Sequence, residues 1–217
     1  MKKKLKNSFF ISLVLLGMFI VWTAAVCSVD LQPIGPQQSC VGFASLNSFV
    51  HSLTGVHMSL YTITDWLSII PVAVIAGFAL LGLCQWIKRK KLSEVDYSIL
   101  VLGIFYIIVM AIYILFEIYI VNYRPVLING HLEASYPSST TVLVLCVMPT
   151  AVMQFNRRIK TEVLRVSIEI AVCVFTVFMV VCRLISGVHW FSDIIGGILL
   201  SSGLVLLYRY FTDTERK

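Results

Sequence analysis

Six long apolar runs separated by short polar connections dominate the 217-residue chain. They occupy residues 9–29, 61–87, 97–121, 140–156, 162–182 and 190–209. A helix needs about 20 apolar residues to cross a hydrocarbon core of roughly 30 Å, and each run is near that length. The pattern predicts an all-α, polytopic membrane bundle of about six transmembrane helices. We expect one integral-membrane domain over residues 1–217, with both termini on the same side. A shorter apolar segment at 42–54 is expected to lie at the interface and to shield the outer mouth of the bundle.

Basic residues fall at alternate ends of the predicted helices. The positive-inside rule places the Lys and Arg of short loops in the cytoplasm. On that side lie Lys2, Lys3, Lys4, Lys6, Lys88, Arg89, Lys90, Lys91, Arg157, Arg158, Lys160, Arg165, Arg209, Arg216 and Lys217. We therefore predict a multi-pass protein of the cell membrane with both termini in the cytoplasm. Arg124 and Arg183 are left on the outer side, where an arginine is costly unless it is solvated or paired.

Composition narrows the class of protein further. Hydrophobic residues make up 59% of the chain and charged residues 13%, which disfavours a water-soluble fold. The net charge of +6 does not indicate nucleic-acid binding, because the basic residues lie beside the apolar runs. The six cysteines have no CxxC spacing, so no metal site is predicted. Cys27 and Cys40 both fall on the predicted outer side, where a disulfide is one alternative and two free thiols are the simpler one.

Three polar motifs fall on the predicted outer side. The sequence NYRP at 122–125 ends the third run, because its proline stops the helix and leaves Arg124 at the rim. The sequence YPSST at 136–140 opens the fourth run and puts Ser138 and Ser139 near a helix N-terminus, where free N–H groups bind anions. Taken alone, this second motif is more simply a serine N-cap.

The third motif, CRLISGVHWFSD at 182–193, connects the fifth and sixth runs. His189 and Asp193 are four residues apart, so a helix that begins near His189 would put both on one face. The carboxylate could then hold one imidazole nitrogen protonated and aim the other at an electrophile, as in an oriented nucleophile. A lone pair of this kind is more simply a local hydrogen bond, so the three motifs carry weight only together.

Together the motifs resemble the type 2 phosphatidic acid phosphatase (PAP2) family, which is related to the vanadium haloperoxidases. The family pattern is KxxxxxxRP, PSGH and SRxxxxxHxxxD, and its order and spacing match from Glu117 to Asp193, within a core of about 97–210. The resemblance implies an outward-facing site in which His189 forms a phosphohistidine and Asp193 orients it.

The resemblance also implies the residues that bind phosphate. These are Arg124, Arg183 and Ser138, with the backbone around Ser139. Two guanidinium groups and a helix N-terminus suit the charge that develops on a transferring phosphoryl group. Neither a metal nor another cofactor is expected.

Three positions depart from the family pattern. Glu117 replaces the lysine, Thr140 replaces the histidine of PSGH, and Cys182 replaces the opening serine of the third motif. One phosphate-binding cation and the general acid are therefore missing, and a general acid contributes about 10² to 10⁴ in rate. A departing phosphate, with a second pKa near 6, needs little protonation. These departures favour a lipid diphosphate, such as a polyprenyl pyrophosphate, over a monoester.

Glu117 has two alternative roles. On a continuous helix it would point the same way as Arg124, seven residues on, and we expect the two to pair. Alternatively, a protonated Glu117 would supply the proton that Thr140 cannot. His131 and Glu133 are further donor candidates, although a loop-surface position is the simpler prediction for both.

We therefore predict a membrane lipid-phosphate or lipid-diphosphate phosphatase or phosphotransferase, whose partners are its lipid substrate and the bilayer. The alternative is a catalytically impaired PAP2-like protein that binds a lipid phosphate or an anion without turnover. A small transporter is disfavoured, because the charged residues gather at the outer rim instead of at the bilayer midplane.

Overall fold

Eight α-helices make up most of the computed structural model, which describes residues 2–214, with side chains from residue 6. They are α1 (Lys2–Val26), α2 (Ala44–Thr54), α3 (Met58–Leu67), α4 (Ile69–Arg89), α5 (Tyr97–Ile118), α6 (Ser139–Arg158), α7 (Glu162–Ile185) and α8 (Phe191–Thr214). Short 3-10 turns lie at Pro36–Gln38 and Leu92–Glu94. Within residues 2–214 the chain forms no named β-strand, and the all-α prediction is confirmed.

Six segments are long and apolar enough to cross a bilayer. They are Lys6–Val26, Met58–Arg89, Tyr97–Ile118, Ser139–Arg158, Glu162–Ile185 and Phe191–Thr214. They coincide with the six apolar runs, so the protein is a multi-pass membrane bundle as predicted. Helices α3 and α4 together form one span, because Ser68 between them keeps a helical backbone. Helix α2, in the segment expected at the interface, is only about 16 Å long and cannot span.

Helices α6 and α8 form the centre of the bundle. Within each of these spans 56% of the most apolar window is buried, against 17% or less in the other four spans. The ring of Tyr136, in the loop before α6, packs directly against the backbone of Gly196 in α8. A Cβ on Gly196 would lie only 2.6 Å from this ring. This close approach holds the loop before α6 against the start of α8, where the third motif lies.

The predicted cytoplasmic end is held by half-buried and exposed polar groups. Asp96 pairs with Arg89 at 3.0 Å and with Arg158 at 3.5 Å, and its backbone N–H donates to Gln85. These contacts connect α4, α5 and α6. The predicted cytoplasmic residues Lys2, Lys3, Lys4, Arg216 and Lys217 lie outside the side chains that the structure describes. All six cysteines are inside the described residues and are free thiols, which excludes the disulfide alternative from this structure.

Candidate active site

Two loops and the last turn of α7 bring Arg124, His189 and Arg183 to one end of the bundle. All three are buried, with 8%, 3% and 2% of their surface exposed. The Nη1 of Arg124 donates to Nε2 of His189 at 3.4 Å. Both guanidinium groups lie near the ring of Tyr61, with centroid distances of 5.9 Å for Arg124 and 4.8 Å for Arg183. Two cations are thus held beside the ring of Tyr61, and one of them, Arg124, also contacts the imidazole.

Ser135 connects the imidazole to the carboxylate of Asp193. Its Oγ lies 3.0 Å from Nδ1 of His189 and donates to Oδ2 of Asp193 at 2.5 Å. Its carbonyl oxygen lies 3.1 Å from Nδ1. A carbonyl only accepts, so Nδ1 carries the proton and Nε2 presents its lone pair. The direct distance from Nδ1 to Asp193 is 3.9 Å, because α8 begins only at Phe191 and His189 precedes the helix.

The Asp193 carboxylate is fully buried and saturated with donors. Besides Ser135, it accepts from the backbone N–H of Trp190 at 2.9 Å, from Nδ2 of Asn122 at 3.2 Å and from Oγ of Ser192 at 3.4 Å. Four donors compensate for the loss of water around the carboxylate. Asp193 therefore organises the first and third motifs around one charge.

Burial lowers the pKa of His189 well below its usual value of 6.5, and the charges of Arg124 and then Arg183 lower it further. The hydrogen bond to the Ser135 backbone opposes this shift. The imidazole is consequently neutral near neutral pH, which is the form in which Nε2 can act as a nucleophile.

Helix α3 supplies contacts to the arginines that the sequence interpretation missed. Arg183 donates to Oγ1 of Thr64 at 3.0 Å and to the carbonyl of Tyr61 at 3.4 Å, and lies 3.8 Å from Oδ1 of Asp65. The Nε of Arg183 is buried and has no hydrogen-bond partner among residues 6–214. The three α3 residues lie at i, i+3 and i+4, so one face of the helix supports the guanidinium. The spacing of these polar residues at the start of the second apolar run marks one face of α3, but nothing in it identifies Arg183 as the partner.

The predicted pair between Glu117 and Arg124 is wrong. Arg124 instead lies 3.1 Å, through Nε, from Oε2 of Glu133, and its backbone N–H donates to the Glu133 carbonyl at 3.0 Å. Helix α5 ends at Ile118, so the seven-residue spacing does not run along one helix. Glu117 lines the cavity described below, and the half-exposed Glu133 has a direct role beside Arg124.

The second motif contacts the rest of the site mainly through its backbone. Ser138 is fully buried, its Oγ accepts from Thr141 at 3.0 Å, and its N–H donates to the Asp193 carbonyl at 3.2 Å. The cavity wall includes Ser139 and Thr140 but not Ser138. The structure thus brings Ser139 and Thr140 to the cavity and leaves the Ser138 side chain behind it.

Helix α2 packs over the turn that carries His189. Asn47 accepts from the N–H of Ser192 at 3.0 Å and donates to its Oγ at 2.9 Å. His51 contacts the carbonyl of Gly187 through Nε2 at 3.2 Å. Gly187 has a φ of +67°, and a Cβ there would lie 1.9 Å from the carbonyl oxygen of Gly55. The turn is therefore clamped between α2 and α8.

A cavity of about 530 Å³ opens beside these side chains. Its polar end contains His189, Arg124, Arg183, Ser135, Asp65 and Glu117. Its deeper walls are mainly apolar and come from α4, α5 and α6, with Ile75, Val109, Met110, Phe116, Val142 and Val147 among them. On α5 the wall runs from Glu117 to Tyr106, a rise of about 16 Å. The shape suits a molecule with an anionic head and an apolar tail.

The comparisons with known proteins find similarity to PAP2-type proteins. The model of the PAP2 superfamily matches residues 119–217. This segment of the chain is therefore similar to the PAP2 superfamily. The PAP2 match contains Arg124, Ser138, Arg183, His189 and Asp193 and begins just after Glu117.

The PAP2-type fold extends over nearly the whole chain. The structure is similar to the crystal structure of the first transmembrane PAP2 type phosphatidylglycerolphosphate phosphatase from Bacillus subtilis, with a TM-score of 0.64 and 17% sequence identity. The alignment covers 94% of this chain and 96% of that one, so α1 to α5 share the fold as well. A comparison with curated proteins found no match.

Proposed function

We propose that this protein is a membrane phosphatase or phosphotransferase that acts on a lipid phosphate or diphosphate through a phosphohistidine on His189. One observation carries the proposal. The neutral Nε2 of a buried imidazole lies beside Arg124, at the polar end of a cavity with apolar depths. The match of residues 119–217 to the PAP2 superfamily supports the phosphatase class. The similar solved structure is that of a phosphatase whose named substrate is also a lipid phosphate.

The proposed chemistry has two steps. Nε2 of His189 attacks the terminal phosphorus. The bond from that phosphorus to the oxygen of the departing group, a lipid alcohol or a lipid monophosphate, breaks with its electron pair on that oxygen. Arg124 and Arg183 bind the non-bridging oxygens, where charge develops. The Ser135 carbonyl holds the Nδ1 proton and, with Asp193, stabilises the positive charge on the ring. Water then attacks the phosphorus, the N–P bond breaks, and phosphate and neutral imidazole are released.

The proposed preference is for a diphosphate. Thr140 lines the cavity at the position of the family's histidine, and a hydroxyl cannot act as an acid near neutral pH. When the terminal phosphorus of a lipid diphosphate is attacked, the leaving group is a lipid monophosphate, which needs little protonation to depart. We expect a lipid diphosphate, polyprenyl pyrophosphate included, to turn over faster than the monophosphate with the same tail.

Phosphate release by the purified, detergent-solubilised protein tests the proposal, with His189→Ala as the matched control. The protein should release phosphate from a lipid diphosphate and form an acid-labile phosphohistidine, and His189→Ala should do neither. Failure to release phosphate from any lipid phosphate or diphosphate, without phosphohistidine, would refute it. If both proteins then still bound a lipid phosphate, the anion-binding alternative would hold.

We further propose that the active site faces away from the cytoplasm and that both termini lie inside. The basic clusters at the opposite end of the bundle support this orientation. Cys27 and Cys40 are exposed thiols near the active-site end. A membrane-impermeant thiol reagent should label them in intact cells. Labelling only after permeabilisation would reverse the proposed orientation.

A further inference from the structure

The hydrolytic step of the proposed reaction needs a group that removes a proton from water. Water is a weak nucleophile, and it loses a proton as its oxygen binds to phosphorus. The imidazole of His189 cannot take this proton, because Nε2 is bonded to phosphorus at that stage and Nδ1 already holds a proton against the Ser135 carbonyl. Thr140, in the cavity wall, carries only a hydroxyl. The base must therefore be another side chain of the cavity.

Carboxylates are the proton acceptors that remain near the two arginines. Among the residues that the structure describes, two carboxylates line the cavity, Asp65 and Glu117. Glu133 contacts Arg124 but is not part of the cavity wall. The fully buried Asp193 already accepts from four donors and does not line the cavity either. The choice is therefore between Asp65 and Glu117.

Arg183 holds Asp65 next to the proposed phosphate-binding site. Oδ1 of Asp65 lies 3.8 Å from Nη2 of Arg183, too far for a hydrogen bond but close enough for an ion pair. The ion pair requires the carboxylate form, which accepts protons. The Asp65 side chain is 61% exposed, so water reaches it. Glu117 instead lies at the end of α5, and Arg124 pairs with Glu133 and not with it. Of the two candidates, Asp65 is the one held beside a cation of the site.

One edge of the Arg183 guanidinium is available to a phosphate. Its Nη1 is engaged by α3, through Thr64 and the carbonyl of Tyr61. Its Nε is buried and has no hydrogen-bond partner within residues 6–214. Nε and Nη2 donate from the same edge, in the fork that binds two phosphate oxygens. A phosphate oxygen about 2.8 Å from Nη2, at a right angle to the direction of Asp65, would lie about 5 Å from the carboxylate, which is the span of one bridging water.

The imidazole and the Asp65 carboxylate lie beside different arginines. His189 contacts Arg124, and Asp65 contacts Arg183. A phosphoryl group bound by both guanidinium groups would have Nε2 on the Arg124 side and the carboxylate on the Arg183 side. Attack on a phosphohistidine proceeds opposite the N–P bond, so a water beside Asp65 lies on the side from which it can attack.

We propose that Asp65 is the general base of the second step, in which it accepts a proton from the water that attacks the phosphohistidine. This inference rests on the proposed function. The new O–P bond forms as the N–P bond breaks with its electron pair on Nε2, and the proton moves from water to Asp65 and then to solvent. The first step does not need this base, because a lipid monophosphate departs with little protonation. Loss of the Asp65 carboxylate should therefore slow the second step and spare the first.

The variant Asp65→Asn tests the inference, with Glu133→Gln as its matched control. Each variant removes a carboxylate that pairs with one of the two arginines, but only Asp65 lines the cavity. Farnesyl diphosphate labelled in its terminal phosphate is mixed rapidly with the detergent-solubilised protein, and the reaction is quenched in alkali. The measured quantities are the rate of phosphohistidine formation, the fraction of protein that carries it, and kcat.

Asp65→Asn should lower kcat about 100-fold, within the range of a general base, while the rate of phosphohistidine formation stays within about threefold. The phosphorylated fraction of the protein should rise as a result. Glu133→Gln should not raise this fraction. Hydroxylamine attacks phosphorus without first losing a proton, so it should release the phosphoryl group that Asp65→Asn retains. Because the Asp65 side chain is mostly exposed, the variant should keep the unfolding temperature of the unmodified protein in detergent.

Three results would overturn the inference and leave the proposed function standing. Asp65→Asn could keep kcat within about threefold of the unmodified protein. It could lose phosphohistidine formation and kcat equally, which would mean that Asp65 only positions Arg183. The phosphorylated fraction could rise equally in Glu133→Gln. If the unmodified protein formed no phosphohistidine and released no phosphate, the proposed function would fail and the inference with it.

Discussion

Replacing Ser135 with alanine removes the hydroxyl between the imidazole of His189 and the carboxylate of Asp193. The lost contacts are the 2.5 Å bond to Oδ2 and the 3.0 Å contact with Nδ1. The carbonyl of residue 135 still lies 3.1 Å from Nδ1, so the tautomer with a free Nε2 remains. The expected loss is therefore that of one hydrogen bond to a charged group, about 1.5 to 3 kcal/mol. If this whole free-energy loss raises the activation barrier, kcat falls about 10-fold to 100-fold.

Steady-state hydrolysis of a lipid diphosphate in detergent measures this loss, and Ser192→Ala is the matched control. Ser192 is also fully buried and contacts the same carboxylate, but through Oδ1 at 3.4 Å and away from the imidazole. Its replacement should lower kcat much less than Ser135→Ala does. The reasoning about Ser135 is refuted if Ser135→Ala keeps kcat within about twofold of the unmodified protein, or if the two variants lose equal activity.

Three further predictions follow from the site. Because the pKa of His189 is lowered, kcat/KM should stay constant as the pH falls from about 8 to about 6.5, and a decline centred at or above 6.5 in the pH–rate profile would contradict a neutral nucleophile. Gly187→Ala should lower the thermal unfolding temperature in detergent far more than Gly130→Ala. Both glycines have a positive φ, which costs an alanine about 1 kcal/mol, but only a Cβ at residue 187 would clash with a carbonyl oxygen, that of Gly55. Equal shifts in unfolding temperature would disprove the clamp. Thr140→His should raise kcat for a lipid monophosphate by at least about tenfold, within the range of a general acid, and leave the diphosphate rate little changed; an equal gain for both substrates would count against the leaving-group argument.

The sequence predicted the spans because bilayer crossing depends on the length and apolarity of single segments. The resemblance of the three motifs to the PAP2 family also implied that Arg124, Arg183 and His189 converge. The error over Glu117 arose because the exact end of α5, at Ile118, depends on how the next loop packs. A helix end cannot be derived from spacing alone.

Ser135 and the α3 residues could not be found in the same way. Ser135 lies outside the three motifs, and its role depends on how the loop before α6 meets the start of α8. Tyr61 and Thr64 lie in an apolar run that reads as a simple span, and their contacts with Arg183 are long-range. Such contacts between distant segments depend on tertiary packing, which no single window of sequence contains.

The carboxylates beside the two arginines have a consequence for the end of a catalytic cycle. In the structure each guanidinium already has an acidic neighbour, Glu133 for Arg124 and Asp65 for Arg183. In the proposed reaction, an incoming phosphoryl group would compete with these carboxylates, so its binding would be weaker than two unpaired cations would give. The same competition works in reverse when inorganic phosphate departs, because the arginines regain their partners instead of being left desolvated. The paired acids would thus lower the affinity for phosphate and speed the release of the product.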